Sequence, residues 1–346
     1  FFFKQKTAYE IYQCDWSSDV CSSDLSIGDV VLTLPMAGII KNYLPDCKIS
    51  FMGREYTRAV VSLSKFVDDF ISMEELHQQN ISEQINYIKT KKIDAVVHVF
   101  PNIEISKLMK RASVPLRIGT YGRLHHWFNC NRLIRLSRRN SELHEAQLNI
   151  KLLSGLGLRT EFNLLDIHNF YGFTNISELK EEFHGLINAT KRNIILHPKS
   201  KGSAREWGLA NYEILINELP KEKYQLFFSG TKEEGDTFLN IKQKYPDVID
   251  ITGRMNLSQF IAFINACDGL VAASTGPLHI ASALGKKAIG IFAPMRPIHP
   301  GRWKPVGMNA TSLVINKNCS DCKKGGACIC IESVSAIDVV KELESL

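Results

Sequence analysis

Long apolar runs are missing from this 346-residue sequence. Residues 30–40 form a nearly uncharged apolar stretch. Its length is about half of the ~20 residues that a transmembrane helix needs, so we expect no such helix. The glycine-rich run G-x-G-x-x-G, which is typical of dinucleotide-binding dehydrogenases, is also missing, and this disfavours an NAD-dependent oxidoreductase. Residues 1–25 lack the order of basic, apolar and small residues that a secretion signal shows.

The composition is that of a soluble globular protein, with 45% apolar and 23% charged residues, which excludes a disordered or collagen-like chain. At ~100–200 residues per domain, the length predicts two domains. Seven of the nine cysteines lie after residue 25, and seven cysteines without a secretion signal favour a reducing, cytoplasmic compartment.

Residues 1–25 show neither helical nor strand periodicity. We interpret them as translated sequencing-adapter sequence; a genuine disordered tail is the alternative. Their two lysines and four acids carry a net −2, so the net charge of +6 becomes +8 without them. Residues 26–29 then form the turn after a strand that is itself missing. Adapter residues near 22–25 are the candidates to fill that gap.

From residue 26 onward, short β-branched runs alternate with amphipathic stretches, which predicts parallel sheets covered on both faces. We therefore predict an α/β fold of two doubly wound, Rossmann-like domains, residues 26–170 and 191–346, joined by a linker at 171–190. The predicted strands are 48–52, 94–100, 115–118, 193–196, 224–228, 248–251, 269–273 and 287–292. The predicted helices are 36–44, 55–63, 81–91, 141–156, 209–219, 232–244, 257–266 and 276–284.

Asp29 follows Gly28 in the turn that opens the first domain. This turn lies at the carboxyl edge of the sheet, where open α/β folds bind ligands. The carboxylate is either a helix cap or a general base that faces the cleft between the domains.

Residues 274–279 (STGPLH) open a predicted helix in the second domain. The free N–H groups and positive dipole end of such a helix suit a phosphate. Gly276 permits close approach of the backbone, and His279 offers a hydrogen-bond donor. The alternative is a plain cap by Ser274 or Thr275, with Pro277 in the first turn.

Residues 197–207 (HPKSKGSAREW) form a second candidate phosphate loop, because three cations lie within seven residues of a serine- and glycine-rich loop. Such a loop suits a leaving diphosphate; a solvated basic loop is the alternative. After the next predicted strand, Glu233 or Glu234 either binds a ribose or interacts with a helix dipole.

No acidic residue occurs between Glu104 and Glu142. Nine cations without a counter-charge indicate an anionic partner: a nucleic acid, a phosphorylated glycolipid or an anionic membrane surface, with a solvated face as the alternative. Aromatic residues are interleaved with these cations, which are Lys107, Lys110, Arg111, Arg117, Arg123, Arg132, Arg135, Arg138 and Arg139.

Four cysteines, Cys319, Cys322, Cys328 and Cys330, lie within twelve residues. They either bind a structural zinc or remain without metal, as free thiols or a labile disulfide. The spacing is tighter than in common zinc ribbons, and we favour the site without metal.

Taken in order, the motifs SIGDVVLTLP, HPKSKGSAREW and STGPLHIASALGKKAIGIF resemble those of glycosyltransferase family 9, the lipopolysaccharide heptosyltransferases. The resemblance runs from residue 26 to the end of the chain. It implies the GT-B fold, with two Rossmann-like domains facing across a cleft. It also implies inverting transfer, without a metal or other cofactor, of heptose from ADP-heptose to a lipopolysaccharide core acceptor.

The resemblance also implies residue roles. Asp29 matches the catalytic base, and an anionic glycolipid meets the basic stretch of the first domain through Arg111, Arg117, Arg123 and Arg138. No nucleic acid is then expected as a partner. Peripheral contact with the cytoplasmic face of the inner membrane is expected. The donor-binding positions are Lys199, Ser200, Lys201, Arg205, Glu233, Glu234, Ser274, Thr275, Gly276, Pro277 and His279.

One position departs from the family pattern. The well-studied heptosyltransferases carry an aspartate immediately before Thr-Gly in the donor loop, where this chain has Ser274. Heptose is the default donor sugar, and another sugar is the alternative.

Overall fold

The computed structural model describes residues 9–12, 26–138, 141–295, 299–315 and 329–345. The chain divides into two compact units, Phe1–Asn175 and Ile176–Leu346. Each unit contains one parallel six-stranded sheet.

The sheet of the first unit has the strand order β3-β2-β1-β4-β5-β6. Its strands are β1 (Tyr9–Tyr12), β2 (Ile49–Gly53), β3 (Asp69–Ser72), β4 (Ala95–His98), β5 (Leu116–Thr120) and β6 (Arg132–Ile134). The helices are α1 (Ile27–Thr33), α2 (Pro35–Tyr43), α3 (Arg58–Val61), α4 (Met73–His77), α5 (Ile81–Thr90), α6 (Ile103–Arg111), α7 (Leu124–Asn129), α8 (Glu145–Lys151) and α9 (Leu164–His168), with 3-10 helices at Glu55–Thr57 and Leu152–Leu156.

The sheet of the second unit has the equivalent order, β12-β11-β10-β7-β8-β9. Its strands are β7 (Arg192–His197), β8 (Tyr224–Phe228), β9 (Ile249–Asp250), β10 (Gly269–Ala273), β11 (Lys287–Phe292) and β12 (Ala310–Val314). The helices are α10 (Glu181–His184), α11 (Leu209–Glu218), α12 (Lys232–Asp236), α13 (Leu239–Lys244), α14 (Leu257–Ala266), α15 (Gly276–Ala283), α16 (Pro300–Trp303), α17 (Ile329–Glu332) and α18 (Ala336–Glu344).

In each sheet the first and fourth strands are neighbours, and the chain order reverses between them. Open α/β sheets bind ligands in the crevice at the carboxyl ends of these two strands. The central strands are buried along their whole length, as in β2, β4 and β10, because helices cover both faces.

The central position of the first sheet is occupied by β1, which lies between β2 and β4 and pairs parallel with both. Residues 9–12 fill the gap, rather than residues near 22–25. The sequence YEIY contains β-favouring aromatic and β-branched residues, and a strand here satisfies backbone groups of both neighbours. The adapter interpretation of residues 1–25 stays a prediction.

The interval 171–190, which was predicted to be a linker, is divided between the units. Phe173 forms an antiparallel bridge with Ser64 in the first unit. In the second unit, α10 buries Phe183, and Glu178 accepts a hydrogen bond from the Gln259 side chain through its backbone carbonyl, at 3.0 Å. The polar composition of this interval predicts a linker. In the structure, its first residues contact the first unit and its later residues contact the second unit, through buried side chains and backbone hydrogen bonds.

Across the described ranges, every helix is either too short or too polar to span a lipid bilayer.

A proline in β1 tests whether residues 9–12 form the central strand. Ile11→Pro removes a backbone donor between two paired neighbours, so we expect the free energy of unfolding to fall by about 1–3 kcal/mol. Urea denaturation measures the change, and Ile11→Val, which keeps the donor, is the matched control. Equal stability of the two variants would show that β1 is not part of the folded sheet.

Candidate functional site

The candidate donor site is built from three loops at the carboxyl edge of the second sheet. The ends of β7 and β10 are adjacent, with Ala272 opposite His197 in the register. The loop after β8 joins them through Ser229, whose hydroxyl lies 2.9 Å from Nδ1 of His197. Residues far apart in sequence therefore meet where the strand order reverses.

Thr275 and His279 carry buried polar atoms that lack partners among the residues the structure describes. These atoms are Thr275 Oγ1 and His279 Nδ1, in residues that are 4% and 2% exposed. Thr275 is the N-cap residue of α15, but its side chain makes no capping hydrogen bond. The plain-cap alternative therefore does not account for this hydroxyl. Because an unsatisfied buried polar group costs about 1–3 kcal/mol, these two atoms are suited to a polar ligand.

The first turn of α15 adds unpaired backbone donors, with Gly276 and Pro277 as its opening residues. Burial lowers the pKa of His279 to about 4. The imidazole is therefore neutral near pH 7 and interacts with a ligand as a hydrogen-bonding group rather than as a cation. Ser274, which precedes the cap, is partly exposed.

The basic loop divides its predicted donor-binding residues into two groups. Lys199 forms an ion pair with Glu206 at 2.5 Å, and Ser200 donates its hydroxyl to the Ala204 carbonyl at 2.8 Å. Both side chains thus stabilise the loop itself. Lys201 is exposed and Arg205 is partly exposed, and neither makes a hydrogen bond or ion pair with the described part of the chain.

The shape of this loop depends on two local features. Lys201 and Gly202 have φ angles of 50° and 82°, so the chain makes a left-handed turn that glycine tolerates well. Trp207 is fully buried and donates its indole N–H to the Val334 carbonyl at 2.9 Å. The buried Trp207 side chain therefore fixes the end of this loop two residues after Arg205.

The two candidate ribose-binding acids differ in their contacts. Glu234 forms a capping box with Thr231, in which its Oε2 accepts from the Thr231 backbone N–H at 2.8 Å. Glu233 is exposed, and its own backbone N–H, the Thr231 hydroxyl and the charge of Lys201 lower the pKa of its carboxyl. Glu233 therefore remains the carboxylate that is available to a ligand.

His197 is a residue of this site to which the sequence pattern assigned no role. Burial lowers its pKa to about 4, against the opposing charges of Glu234 and Glu206. Together with Ser229 it forms a buried polar link between the loops after β7 and β8. In the sequence, His197 directly follows a predicted strand and precedes the basic loop, and this position could have indicated a site residue.

In the first unit, Asp29 belongs to a capping box at the start of α1. Ser26 is the N-cap residue, and Oδ2 of Asp29 accepts from the Ser26 backbone N–H at 3.2 Å and from its hydroxyl at 2.9 Å. Asp29 therefore takes part in capping α1, but the cap residue itself is Ser26, and Asp29 lies three residues after it. These bonds fix the orientation of the carboxylate at the start of α1.

His98 ends β4 at the same edge and is fully buried, and both its ring nitrogens lack partners within the described ranges. Burial, with His126 adding to it, lowers the pKa of His98 to about 3. The rings of His98 and His126 are 5.5 Å apart. This buried histidine pair was not singled out from the sequence.

The four predicted acceptor-binding arginines also divide into two groups. Arg138 forms an ion pair with the buried Glu145 and donates to the Asn149 side chain at 2.9 Å. Arg117 donates to the Asn129 backbone carbonyl at 2.7 Å. These two guanidinium groups stabilise the unit internally, whereas Arg111 and Arg123 are exposed.

The other candidate sites lie elsewhere. A cavity of about 370 Å³ opens at the amino-terminal edge of the second sheet, lined by residues such as Tyr224 and Lys191, and holds no predicted donor residue. Cys319, Cys322 and Cys328 fall outside the described residues, and Cys330 is buried in α17. Within the described ranges, no three His, Cys, Asp or Glu side chains cluster as metal ligands would.

Residues 87–329 match the family model described as glycosyltransferase family 9 (heptosyltransferase). The chain belongs to glycosyltransferase family 9. It is therefore a glycosyltransferase, as its motifs predicted. The matched residues include all the candidate donor loops and begin after Asp29.

Known proteins similar to this family 9 enzyme include a putative glycosyltransferase of Haemophilus influenzae, 24% identical over 81% of this chain and 83% of that protein. The lipopolysaccharide core heptosyltransferase OpsX of the same organism is 20% identical over 79% of this chain and 78% of its own length. The structure of Escherichia coli ADP-heptose lipopolysaccharide heptosyltransferase II gives a TM-score of 0.73 at 17% identity, covering 97% of this chain and 98% of that one. The predicted GT-B fold is thereby confirmed.

Four buried histidines make the stability of this enzyme sensitive to acid. The pKa of His98 is lowered to about 3, and those of His126, His197 and His279 to about 4. In the unfolded chain each imidazole titrates near ~6.5, so below that pH the unfolded chain binds more protons than the folded one. The stabilisation is present above about pH 6.5 and is lost as the pH falls towards these lowered values.

We expect the free energy of unfolding to decrease by about 1.4 kcal/mol per histidine for each pH unit below ~6.5. Urea denaturation between about pH 7 and about pH 5 measures the slope. His98→Leu should reduce the slope relative to that of the unchanged protein, because it removes one of the four groups. A stability that does not vary over this range would contradict the assignment.

Proposed function

We propose that this enzyme transfers heptose from ADP-heptose to a lipopolysaccharide core acceptor, with inversion and without a metal ion, at the cytoplasmic face of the inner membrane. The observation that carries the proposal is the pair of unpartnered, buried polar atoms of Thr275 and His279, among the described residues, beside the first turn of α15. Family membership and the similarity to heptosyltransferases of the lipopolysaccharide pathway support the substrate class.

The donor diphosphate is bound by Arg205 and Lys201 and by the N–H groups of the first turn of α15. Negative charge accumulates on the diphosphate as the glycosidic bond breaks, and fixed donors and cations stabilise that charge in the transition state. Thr275 Oγ1 and His279 Nδ1 donate to the phosphate or the sugar hydroxyls. Glu233 accepts hydrogen bonds from the ribose.

Asp29 is the general base of this proposal. Its carboxylate takes the proton of the acceptor hydroxyl while that oxygen attacks the anomeric carbon and the nucleoside diphosphate leaves from the opposite face. The two bonds from Ser26 orient the carboxylate. A positioned base of this kind contributes ~10²–10⁴-fold to the rate.

The donor sugar depends on position 274. The serine is shorter than the family's aspartate and uncharged, so it contacts sugar hydroxyls differently. A donor with another sugar on the same nucleotide is therefore the second candidate, and competition between sugar nucleotides decides between them.

Replacing Asp29 tests the base. Asp29→Asn keeps an acceptor for Ser26 but cannot take a proton, so we expect kcat to fall by ~10²–10⁴-fold while ADP affinity is retained. Ser26→Ala is the comparison variant: it removes the cap at a cost of ~1 kcal/mol and one of the two orienting bonds, but it keeps the base, so kcat should fall less than in Asp29→Asn. A coupled assay of ADP release measures kcat, and turnover of the Asp29→Asn variant close to that of the unchanged protein would remove Asp29 from this role.

Replacing Arg205 tests the diphosphate site. Arg205→Ala removes a charge-assisted bond of about 1.5–3 kcal/mol, so we expect the Kd for ADP to rise by about 10–100-fold in calorimetry. Lys221→Ala, at the opposite edge of the second sheet, is the control and should bind ADP normally. ADP should also raise the melting temperature more than UDP or GDP. Equal ADP binding by the two variants would contradict the assignment.

A further inference from the structure

Helix α7 presents large apolar side chains to solvent. Tyr121, Leu124, Trp127 and Phe128 are 43%, 75%, 48% and 68% exposed, and together they define the α7 surface. They lie within eight residues of chain, on one short helix and the turn before it. Contiguous exposed apolar surface of this kind marks a contact with another molecule or a membrane.

The polarity of α7 is the reverse of that of an ordinary surface helix. Its buried residues are His126 and Asn129, at 0% and 7% exposure, whereas its apolar residues face outward. The inward polar groups are bonded: Thr120 N–H donates to His126 Nδ1 at 2.9 Å, and Asn129 donates to the Ser106 hydroxyl at 3.1 Å. The helix is therefore held in this orientation.

The α7 surface is also rigid. The Trp127 indole N–H donates to the Tyr121 carbonyl at 2.7 Å, and the two rings are 4.4 Å apart. Lys110 on α6 donates to the Phe128 carbonyl at 2.7 Å. The Trp127 ring and the backbone of α7 are thus held in place before binding, which reduces the ordering entropy lost there.

Exposed cations accompany these apolar side chains. The guanidinium of Arg135 lies 5.4 Å from the Tyr121 ring. Glu104, one turn before Lys107 on α6, is the last acid before position 142 and lies 3.9 Å from His77. The other exposed cations of this segment are Lys107, Lys110, Arg111, Arg123 and Arg132.

We propose that the α7 surface inserts into the headgroup region of an anionic lipid bilayer, with Leu124, Trp127 and Phe128 reaching the acyl boundary and the surrounding cations binding lipid phosphates. Aromatic and aliphatic side chains next to lysine and arginine are the composition of interfacial anchors. A nucleic acid would use the cations and stacked aromatics, but it offers nothing to the most exposed residue, Leu124. The inference rests on the proposed function in one respect: the proposed acceptor is lipid-linked and lies in such a bilayer.

Vesicle co-sedimentation of the full chain tests the inference without any sugar transfer. Vesicles of phosphatidylcholine with phosphatidylglycerol should bind the protein, and pure phosphatidylcholine should bind it less. Trp127 emission should shift to shorter wavelength on binding. Raising the ionic strength from about 0.1 M to about 1 M shortens the screening length from ~10 Å to ~3 Å and should weaken binding.

The double variant Leu124→Ser/Phe128→Ser should bind anionic vesicles at least about tenfold more weakly, because two large side chains no longer enter the apolar region. Leu165→Ser, at a leucine that is 58% exposed on α9, is the matched control and should bind normally. Arg132→Gln/Arg135→Gln should weaken binding at low salt, whereas Lys89→Gln on α5 should not.

Three outcomes would overturn the inference: no binding to anionic vesicles, equal binding by the double variant, or concentration-dependent self-association that the double variant abolishes, since a second copy would then cover the surface. Transfer to a delipidated core oligosaccharide is measured separately. If that transfer persists without vesicle binding, the membrane inference alone fails. If vesicle binding persists without any transfer from ADP-heptose, the proposed function fails and the membrane surface stands.

Discussion

The candidate donor site depends on the parallel pairing of β7 with β10. These strands are the first and fourth of their sheet, yet they lie side by side, so the loops after them open at one edge. Thr275 and His279 reach that edge from β10, and Arg205 and Lys201 follow β7. The same strand order in the first unit places β1, followed by the Asp29 turn, beside β4, which ends in His98.

Both units contain buried polar groups without partners in the described part of the chain. Thr275 Oγ1, His279 Nδ1 and both nitrogens of His98 are such groups. Each lowers the stability of the fold, and the well-packed cores around Trp207 and the central strands offset that cost. Thr275 and His279 follow the end of β10 and His98 ends β4, which are the sheet edges where open α/β folds bind ligands.

The cations of the chain serve two purposes that their sequence spacing does not distinguish. Lys199 and Arg138 form ion pairs with carboxylates of their own unit, and Arg117 donates to a backbone carbonyl, so all three bond within the fold. Lys201 and Arg205 make no such bonds to described residues. The cations that bond within their own unit stabilise the fold, whereas Lys201 and Arg205 are the ones to which the proposed function assigns the diphosphate.

The alternation of strands and helices of the α/β fold followed from the sequence alone, because apolar periodicity is a local signal. The phosphate-binding role of the two loops stays a prediction. The strands β3, β6 and β12 were missed, since short or half-buried strands carry weak periodicity. The helices α6 and α18 were missed although each is nine residues long and amphipathic. The other missed helices are shorter, and they are α4, α7, α9, α10, α16 and α17. The place of residues 9–12 was missed for another reason: a four-residue strand in an otherwise irregular segment forms only because two neighbouring strands pair with it.

The sequence by itself determined which residue types stand at each strand end, and hence the family and its chemistry. Only the tertiary structure decided which of them are available to a ligand. Glu234 caps its own helix while Glu233 does not, Lys199 is paired while Arg205 bonds to no described residue, and α7 turns its histidine and asparagine inward and its apolar residues outward. These partners lie 3 to 23 residues away in the sequence. The folded backbone, which composition does not encode, decides which of them each side chain meets.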